Sequence, residues 1–176
     1  MRAKDENIER ESPSIRNARL DSTDWRILEE LQRDARLSAA ELGRRVHLSP
    51  PAVAARVSRL EDAGVIAGYR ADLSLPALGL DVLAFVRVRS SGSAHRPFLD
   101  AVAGRQDVLE CHHVTGEDCF VVKVAARSLA QLEEVVADLA RFGSTTTSIV
   151  FSTSVDRRAL TADGVRSPGP PSPGRP

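Results

Sequence analysis

Ten consecutive residues, CHHVTGEDCF (111–120), hold both cysteines of the chain, two of its four histidines and two carboxylates. Thiolate, imidazole and carboxylate are the groups that bind zinc, and a Cys beside a His is also the composition of a nucleophilic dyad. Alternation along a strand sends Cys111 and His113 one way and His112 the other. If Gly116 and Glu117 are the central residues of a turn, Val114 pairs with Cys119 and His112 lies diagonal to it on the same face. The two cysteines then fall on opposite faces. Each face has at most one Cys–His pair, short of the converging set a tetrahedral zinc needs. A dyad would also need an orienting third group and an oxyanion pocket, and nothing in the sequence supplies them. The expectation is a hairpin with no enzymatic activity, no metal and no cofactor. The alternative is a thiol- or metal-responsive pair of Cys119 and His112.

The elements around that hairpin follow from periodicity. Residues 82–88 (VLAFVRV) are an apolar, β-branched run between Gly79 and Ser90-Ser91-Gly92, which reads as a strand. Phe98, Leu99 and Val102 give residues 95–104 a helical spacing, and strands are predicted at 108–114 and 120–125. Ser128 with Gln131 forms a capping box before Leu132, Val135, Val136 and Leu139, and a last strand is predicted over 145–155. The order βαββαβ predicts a ferredoxin-like fold, a four-stranded antiparallel sheet with helices on one face. The uncovered face would expose apolar side chains, which argues for a homodimer.

The N-terminal half reads differently. Asp21 and Asp24 cap a helix carrying Trp25, Ile27, Leu28 and Leu31. Ser38-Ala39-Ala40-Glu41 is an S-x-x-E capping box ahead of Leu42 and Val46. After the short turn His47-Leu48, Ser49 is placed to cap a third helix, with proline tolerated in its first turn. Val53, Val57 and Leu60 face inward and Gly64 ends that helix. A turn this short between the second and third helices predicts a helix-turn-helix. The third helix carries Ala52, Ala55, Arg56 and Arg59 outward, small residues beside long basic ones, suited to a major groove roughly 12 Å wide. Arg44 and Arg45 are placed for phosphates, and residues 39–59 carry four arginines against the single acid Glu41. Arg56 or Arg59 is the expected base contact, and Ser49 and Pro51 complete the expected DNA-facing set.

These residues carry a resemblance. Residues 20–74 contain LD-x-x-D-x-x-IL-x-x-LQ-x-D-x-R-x-S, EL-x-x-x-V, LS and R-V-x-RLE-x-x-GVI-x-GY, and closely resemble the N-terminal half of the Lrp/AsnC (feast/famine) regulators. The resemblance covers about residues 20–156. It implies an α+β chain: a winged helix-turn-helix domain followed by a ferredoxin-like ligand-sensing domain. It further implies a sequence-specific transcriptional regulator that pairs sheet to sheet, assembles further into tetramers or octamers, and binds an amino acid or a relative of one. The segment VTGEDCFVVKV resembles the family's V-[ST]-G-x-x-D-[YF]-x-x-x-V, so the implied effector residues are Gly116, Glu117, Asp118 and Cys119. Thr145 and Thr147, in a stretch like the family's T-x-T-S-I-V, join them. Cys119 stands where the family has Asp; a thiol with a pKa of about 8.5 is mostly neutral and cannot pair with an ammonium group as a carboxylate does. His47 stands where the family has a turn glycine.

Bulk properties bound the rest. A hydrophobic share of 42% suffices for a packed core, while 24 basic and 24 acidic side chains leave no net charge for indiscriminate polyanion binding. No apolar run is long enough to span a membrane, no secretory signal opens the chain, and two cysteines make no disulfide framework, so a cytoplasmic setting is expected. The expected partition is a flexible arm (1–19), a DNA-binding domain (20–68), a linker (69–80), a sensing and dimerisation domain (81–157) and a proline-rich disordered tail (158–176). The expected partners are a pseudo-palindromic operator in double-stranded DNA, further copies of the chain and a small-molecule effector.

Overall fold

The computed structural model describes residues 20–90 and 94–166. The arm expected at 1–19 and the proline-rich end from 167 lie outside them. The chain divides into two compact units. Of the described residues, one unit contains 20–71 and 157–166; the other lies between Asp72 and Asp156.

The first unit is built on three helices, α1 (Ser22–Arg33), α2 (Ala39–Val46) and α3 (Pro50–Asp62). Asp21 and Asp24 form a complete capping box on α1, each side chain accepting the other's backbone N–H at 2.8 and 3.1 Å. Ser38 accepts the Glu41 N–H at 3.2 Å, but the Glu41 carboxylate goes to Arg44 and Arg45, so the second box closes on one side only. Ser49 occupies the N-cap of α3 without making a cap bond. Pro51, at the second helical position, removes one of the two donors an N-cap side chain accepts. Ile27, Leu42, Val46, Val53 and Leu60 form the buried core, with Leu28, Leu31 and Val57 packed around it.

Two residues set the α2–α3 turn. His47 adopts the left-handed conformation (φ 60°, ψ 44°). Gly43 brings the chain close: its carbonyl accepts the Leu48 N–H at 2.9 Å, and a Cβ there would sit 2.5 Å from the Leu48 carbonyl oxygen. Helix propensity alone would make Gly43→Ala stabilising by about 1 kcal/mol. The backbone clash reverses the sign, and a net loss of about 1–3 kcal/mol is expected, as for other overpacked sites. Thermal unfolding of the variant checks it: a raised midpoint would mean that the turn yields freely.

No strand follows α3 among the described residues of this unit, so the expected wing is absent. Past Gly64 the Val65 and Ile66 N–H groups bond back to the Leu60 carbonyl, and residues 67–74 carry no helix or strand. A further correction concerns residues 158–166. They are not simply tail: they end in a one-turn helix, α6 (Ala162–Arg166), and the Gln32 side-chain amide clasps Leu160. Its Nε2 donates to the Leu160 carbonyl at 3.0 Å and its Oε1 accepts the Leu160 N–H at 2.8 Å.

The second unit has the elements β1 (Val82–Ser90), α4 (His95–Ala103), β2 (Val108–His113), β3 (Phe120–Ala126), α5 (Leu129–Ala140) and β4 (Gly143–Ile149). The strands form one antiparallel sheet in the order β2-β3-β1-β4, the ferredoxin-like arrangement. Ala84, Val86 and Val88 of β1 and Phe120, Val122 and Val124 of β3 pack with Phe98 and Val102 of α4 and Leu132, Val135 and Leu139 of α5. β4 is shorter than the strand predicted over 145–155. The Val150 N–H makes a bond to the Leu83 carbonyl, and β1, its only neighbour, begins at Val82. Phe151 beyond it is fully exposed.

Candidate nucleic-acid interface and effector loop

The outward surface of α3 is set by what α3 buries. Val53 and Leu60 point into the core, and at 100° per residue the opposite side carries Pro51, Ala55 and Ser58, all exposed, with exposed Ala54 and Arg59 at its two edges. Pro51 and Ala55 were expected there. Ser58 was missed, although the angle from Val53 and Leu60 identifies it. Ala52 is half-buried. The Ser49 hydroxyl, free of capping, stands at the exposed start of the helix.

The four arginines are not free. Arg44 pairs with Glu41, and Arg45 pairs with Glu30 at 2.8 Å and Glu41 at 3.3 Å. Arg56 Nη1 lies 2.7 Å from Asp21 and 2.8 Å from Asp24, and Arg59 Nη2 bridges both Asp24 oxygens at 2.6 and 2.7 Å. Residues 20–66 contain seven arginines and eight carboxylates, so the local positive excess over 39–59 is cancelled by α1 and by the end of α3. Sequence reading took Asp24 for a capping residue only. In the fold it is buried at 1% exposure, the one buried charged side chain among the described residues.

Burial pushes the Asp24 carboxyl up, but the hydrogen bonds from Arg59, from the Asp21 N–H and from Arg56 outweigh it and leave the group below the usual carboxylate range. The Arg56 hydrogen bond holds Asp21 down as well. Both folded-state pKa values lie below their unfolded ones, so this stabilisation is fully present above about pH 4 and is lost as pH falls through the depressed values. The three-helix unit is therefore expected to lose stability below about pH 4. Far-UV circular dichroism melts between pH 3 and 6 test this; a head midpoint that stays flat across that range would contradict it.

In the second unit the loop 114–119 closes the β2–β3 hairpin, with the Val114 N–H bonded to the Cys119 carbonyl at 2.9 Å as expected. Gly116 has φ 116°, a value L side chains rarely adopt, and nothing lies within 4 Å of where its Cβ would be. Glu117 pairs with Arg89 at 2.5 Å and Asp118 lies 3.8 Å from Arg87, which draws the acids onto the open face of the sheet. The Cys119 thiol donates to the Ser90 carbonyl at 3.2 Å.

Two expectations change. Thr145 and Thr147 stand opposite Val88 and Val86, whose side chains are buried under the helices. Within one chain they lie on the other face from Arg87, Arg89 and the acids. The hydroxyls sharing the loop's face are Ser144, Thr146 and Ser148, opposite Arg89, Arg87 and Phe85. The cysteines are not divided between two environments either, since Cys111 and Cys119 both pack against the same core. Burial pushes the Cys111 thiol up, away from nucleophilic character. His112 bonds Glu110 at 3.2 Å rather than approaching Cys119. Among the described residues no three His, Cys, Asp or Glu side chains converge for a metal, so the pairing of Cys119 with His112 has no built site.

The open face is mixed rather than apolar throughout. Leu83, Phe85 and Val121 occupy its middle, and Arg87, Arg89, Lys123, Glu110 and His112 surround them. Lys123 pairs with Glu110 at 2.9 Å across β3 and β2.

Comparison with known proteins places both units. Residues 20–61 match the AsnC-type helix-turn-helix domain, and residues 83–160 match the Lrp/AsnC ligand binding domain. The HTH-type transcriptional regulator LrpC of Bacillus subtilis is 34% identical over 134 residues, 76% of this chain and 93% of that protein. A leucine-responsive regulatory protein of Rhizobium meliloti is 40% identical over 122 residues, covering 68% of this chain and 78% of its own. Among solved structures, B. subtilis LrpC superposes with a TM-score of 0.75 at 33% identity, over 79% of this chain and 99% of its own. A transcriptional regulator of Neisseria meningitidis in complex with L-Met superposes with a TM-score of 0.77 at 31% identity, over 83% of this chain and 99% of its own.

Proposed function

The chain belongs to the Lrp/AsnC family of transcriptional regulators, and from that premise we propose how its two units share the work. It is a helix-turn-helix regulator with a ligand-binding domain that points to modulation by a small molecule. The three-helix unit binds double-stranded DNA, with α3 in the major groove and Arg44, Arg45 and Ser49 toward phosphates. The outward face of α3 carries this reading: its small exposed side chains let a helix backbone approach base edges. The sheet unit pairs two copies through the open face. Its apolar middle and charged surround have the composition of a protein interface with a polar rim. Two heads then address half-sites about 34 Å apart, or a multiple of that, in a pseudo-palindromic operator. Tetramers or octamers would bring in further heads. No helix of the described residues is long and apolar enough to cross a membrane, and the reading places the protein with the DNA, in the cytoplasm.

The effector in this reading is an amino acid or a close relative; the Neisseria protein was solved in complex with one, L-Met. It would bind beside Gly116, whose open position lets a carboxylate approach the backbone N–H groups. Cys119 brings no carboxylate to the effector's ammonium group, so that role falls to Asp118 or Glu117, which must release Arg87 or Arg89 to take it. Modulation requires that the effector bind one arrangement of the assembly more tightly than another. A thermal-shift screen of the twenty amino acids tests the effector class. A true ligand at 100 times its Kd adds about 2.7 kcal/mol to the native state and raises the midpoint. A flat response to all twenty would remove amino acids from the reading.

A further inference from the structure

With α3 as the recognition helix of the proposed reading, we infer that Asp24 is a positioning residue for DNA reading: it bolts Arg56 and Arg59 to the start of α1, and the two arginines fix the angle of α3 rather than read bases.

The geometry is that of a bolt. Asp24 is almost wholly buried at the first turn of α1 and accepts bonds from three directions: the Asp21 N–H at 3.1 Å, Arg56 Nη1 at 2.8 Å, and Arg59 Nη2 on both oxygens at 2.6 and 2.7 Å. Asp21 holds the same Arg56 nitrogen from the other side at 2.7 Å. One carboxylate thus ties two successive turns of α3 to the N-terminus of another helix. Arg56 and Arg59 also lie on the flank of α3 rather than at its summit. The residues most nearly opposite buried Val53 and Leu60 are Pro51, Ala55 and Ser58.

Releasing either arginine to a base edge would strip charge partners from a buried carboxylate. That penalty exceeds what one bidentate base contact returns. The arginines therefore remain with Asp24 when DNA is bound, and the sequence preference of the head comes from the summit residues and from the deformability of the DNA.

The test uses the full-length chain with Arg59→Gln, Arg59→Lys and Arg56→Gln. Two quantities are read: the unfolding midpoint of the head, and affinity for a panel of single-base-pair variants of its operator at several salt concentrations. A brace predicts that both Arg59 substitutions lower the midpoint by roughly 5 °C or more. Lysine fails here because its ammonium stops one bond short of the Nη2 position. Across the panel, affinity falls by one common factor and the ranking of sequences is kept.

Three outcomes overturn the inference. In the first, Arg59→Gln relaxes discrimination at a single base pair while the midpoint holds, which marks a base contact. In the second, Arg59→Gln lowers the slope of log K against log salt by about 1 and Arg59→Lys restores affinity, which marks a phosphate contact. In the third, both Arg59 variants melt as wild type. Arg56→Gln leaves the Arg59–Asp24 pair standing, so it gives the same panel readout if the Arg59 variants do not fold. A chain that binds no DNA fails the functional reading instead, and the midpoints of the two Arg59 variants still decide the brace.

Discussion

Asp24→Ala is expected to unfold the three-helix unit and leave the sheet unit folded. The substitution removes every partner interaction of a buried carboxylate, leaves Arg56 with Asp21, and takes from Arg59 both of its bonds to Asp24. Breaking one side of a buried ion pair costs about 3–5 kcal/mol, and the lost reciprocal cap adds roughly 1 kcal/mol. Partial exposure of Arg56 (31%) and Arg59 (51%) lets them regain water, which favours the lower end of that range. Against this stands a core of five fully buried apolar side chains, and a unit so small holds only about 3–5 kcal/mol in total. The loss is therefore comparable to the whole stability of the head. Hydrogen exchange read segment by segment is the check. Amides of α1 to α3 should lose protection while those of β1 to β4 keep theirs. Wild-type protection in α1 would contradict the role given to Asp24.

Ala55→Glu should leave the fold intact and remove DNA binding. Ala55 is exposed on the outward face of α3, where a substitution changes stability by no more than about 0.5 kcal/mol. On DNA the new carboxylate would sit in a groove lined by phosphates. Like charges brought together at an interface cost several kcal/mol, and each 1.4 kcal/mol is tenfold, so a loss of about 100-fold or more is expected. The same substitution at exposed Ala130, on α5 of the other unit, is the control and should leave affinity unchanged. Anisotropy titrations with a labelled operator duplex compare the two. Near-wild-type affinity for Ala55→Glu would place the DNA on another surface.

How much of this was legible in the sequence depended on whether a feature was local. The three helices were, because their caps and apolar spacing act within a few residues: Asp21, Ser38 and Gly64 stand at the ends expected of them. The βαββαβ order followed in the same way from period and turn signals. Features that depend on a partner distant in sequence were not legible. Asp24 carries an ordinary capping signature, and only the packing of α3 against α1 makes it a buried anchor. Arg56 and Arg59 looked like free basic residues because their partners lie more than thirty positions away. Ser49 has the right type and place for a cap but makes no cap bond, and Pro51 takes away one of the two donors open to it. Thr145 and Thr147 were assigned to the effector loop by motif. Register decides the face, and it puts their neighbours Ser144, Thr146 and Ser148 there instead. Residues 152–155 have strand composition but run past the end of β1, where no ladder remains to receive them. Gly43 left a readable trace, a glycine in mid-helix just before a tight turn, whose meaning appears only with the Leu48 carbonyl beside it.

Paired heads of this chain are expected to recognise a particular DNA sequence, and a small molecule bound to the sheet unit to change how they do so. The decisive measurement is a DNase footprint titration of the full-length protein on the DNA upstream of its own gene, run with and without the amino acid that gives the largest thermal shift. Protected blocks centred about 10 base pairs apart, or a multiple of that, are expected at protein concentrations that leave flanking DNA open to cleavage. The ligand should also move the titration midpoint or change the extent of protection. Coverage that spreads evenly along the fragment with no preferred site, and that is indifferent to every amino acid, would contradict both expectations.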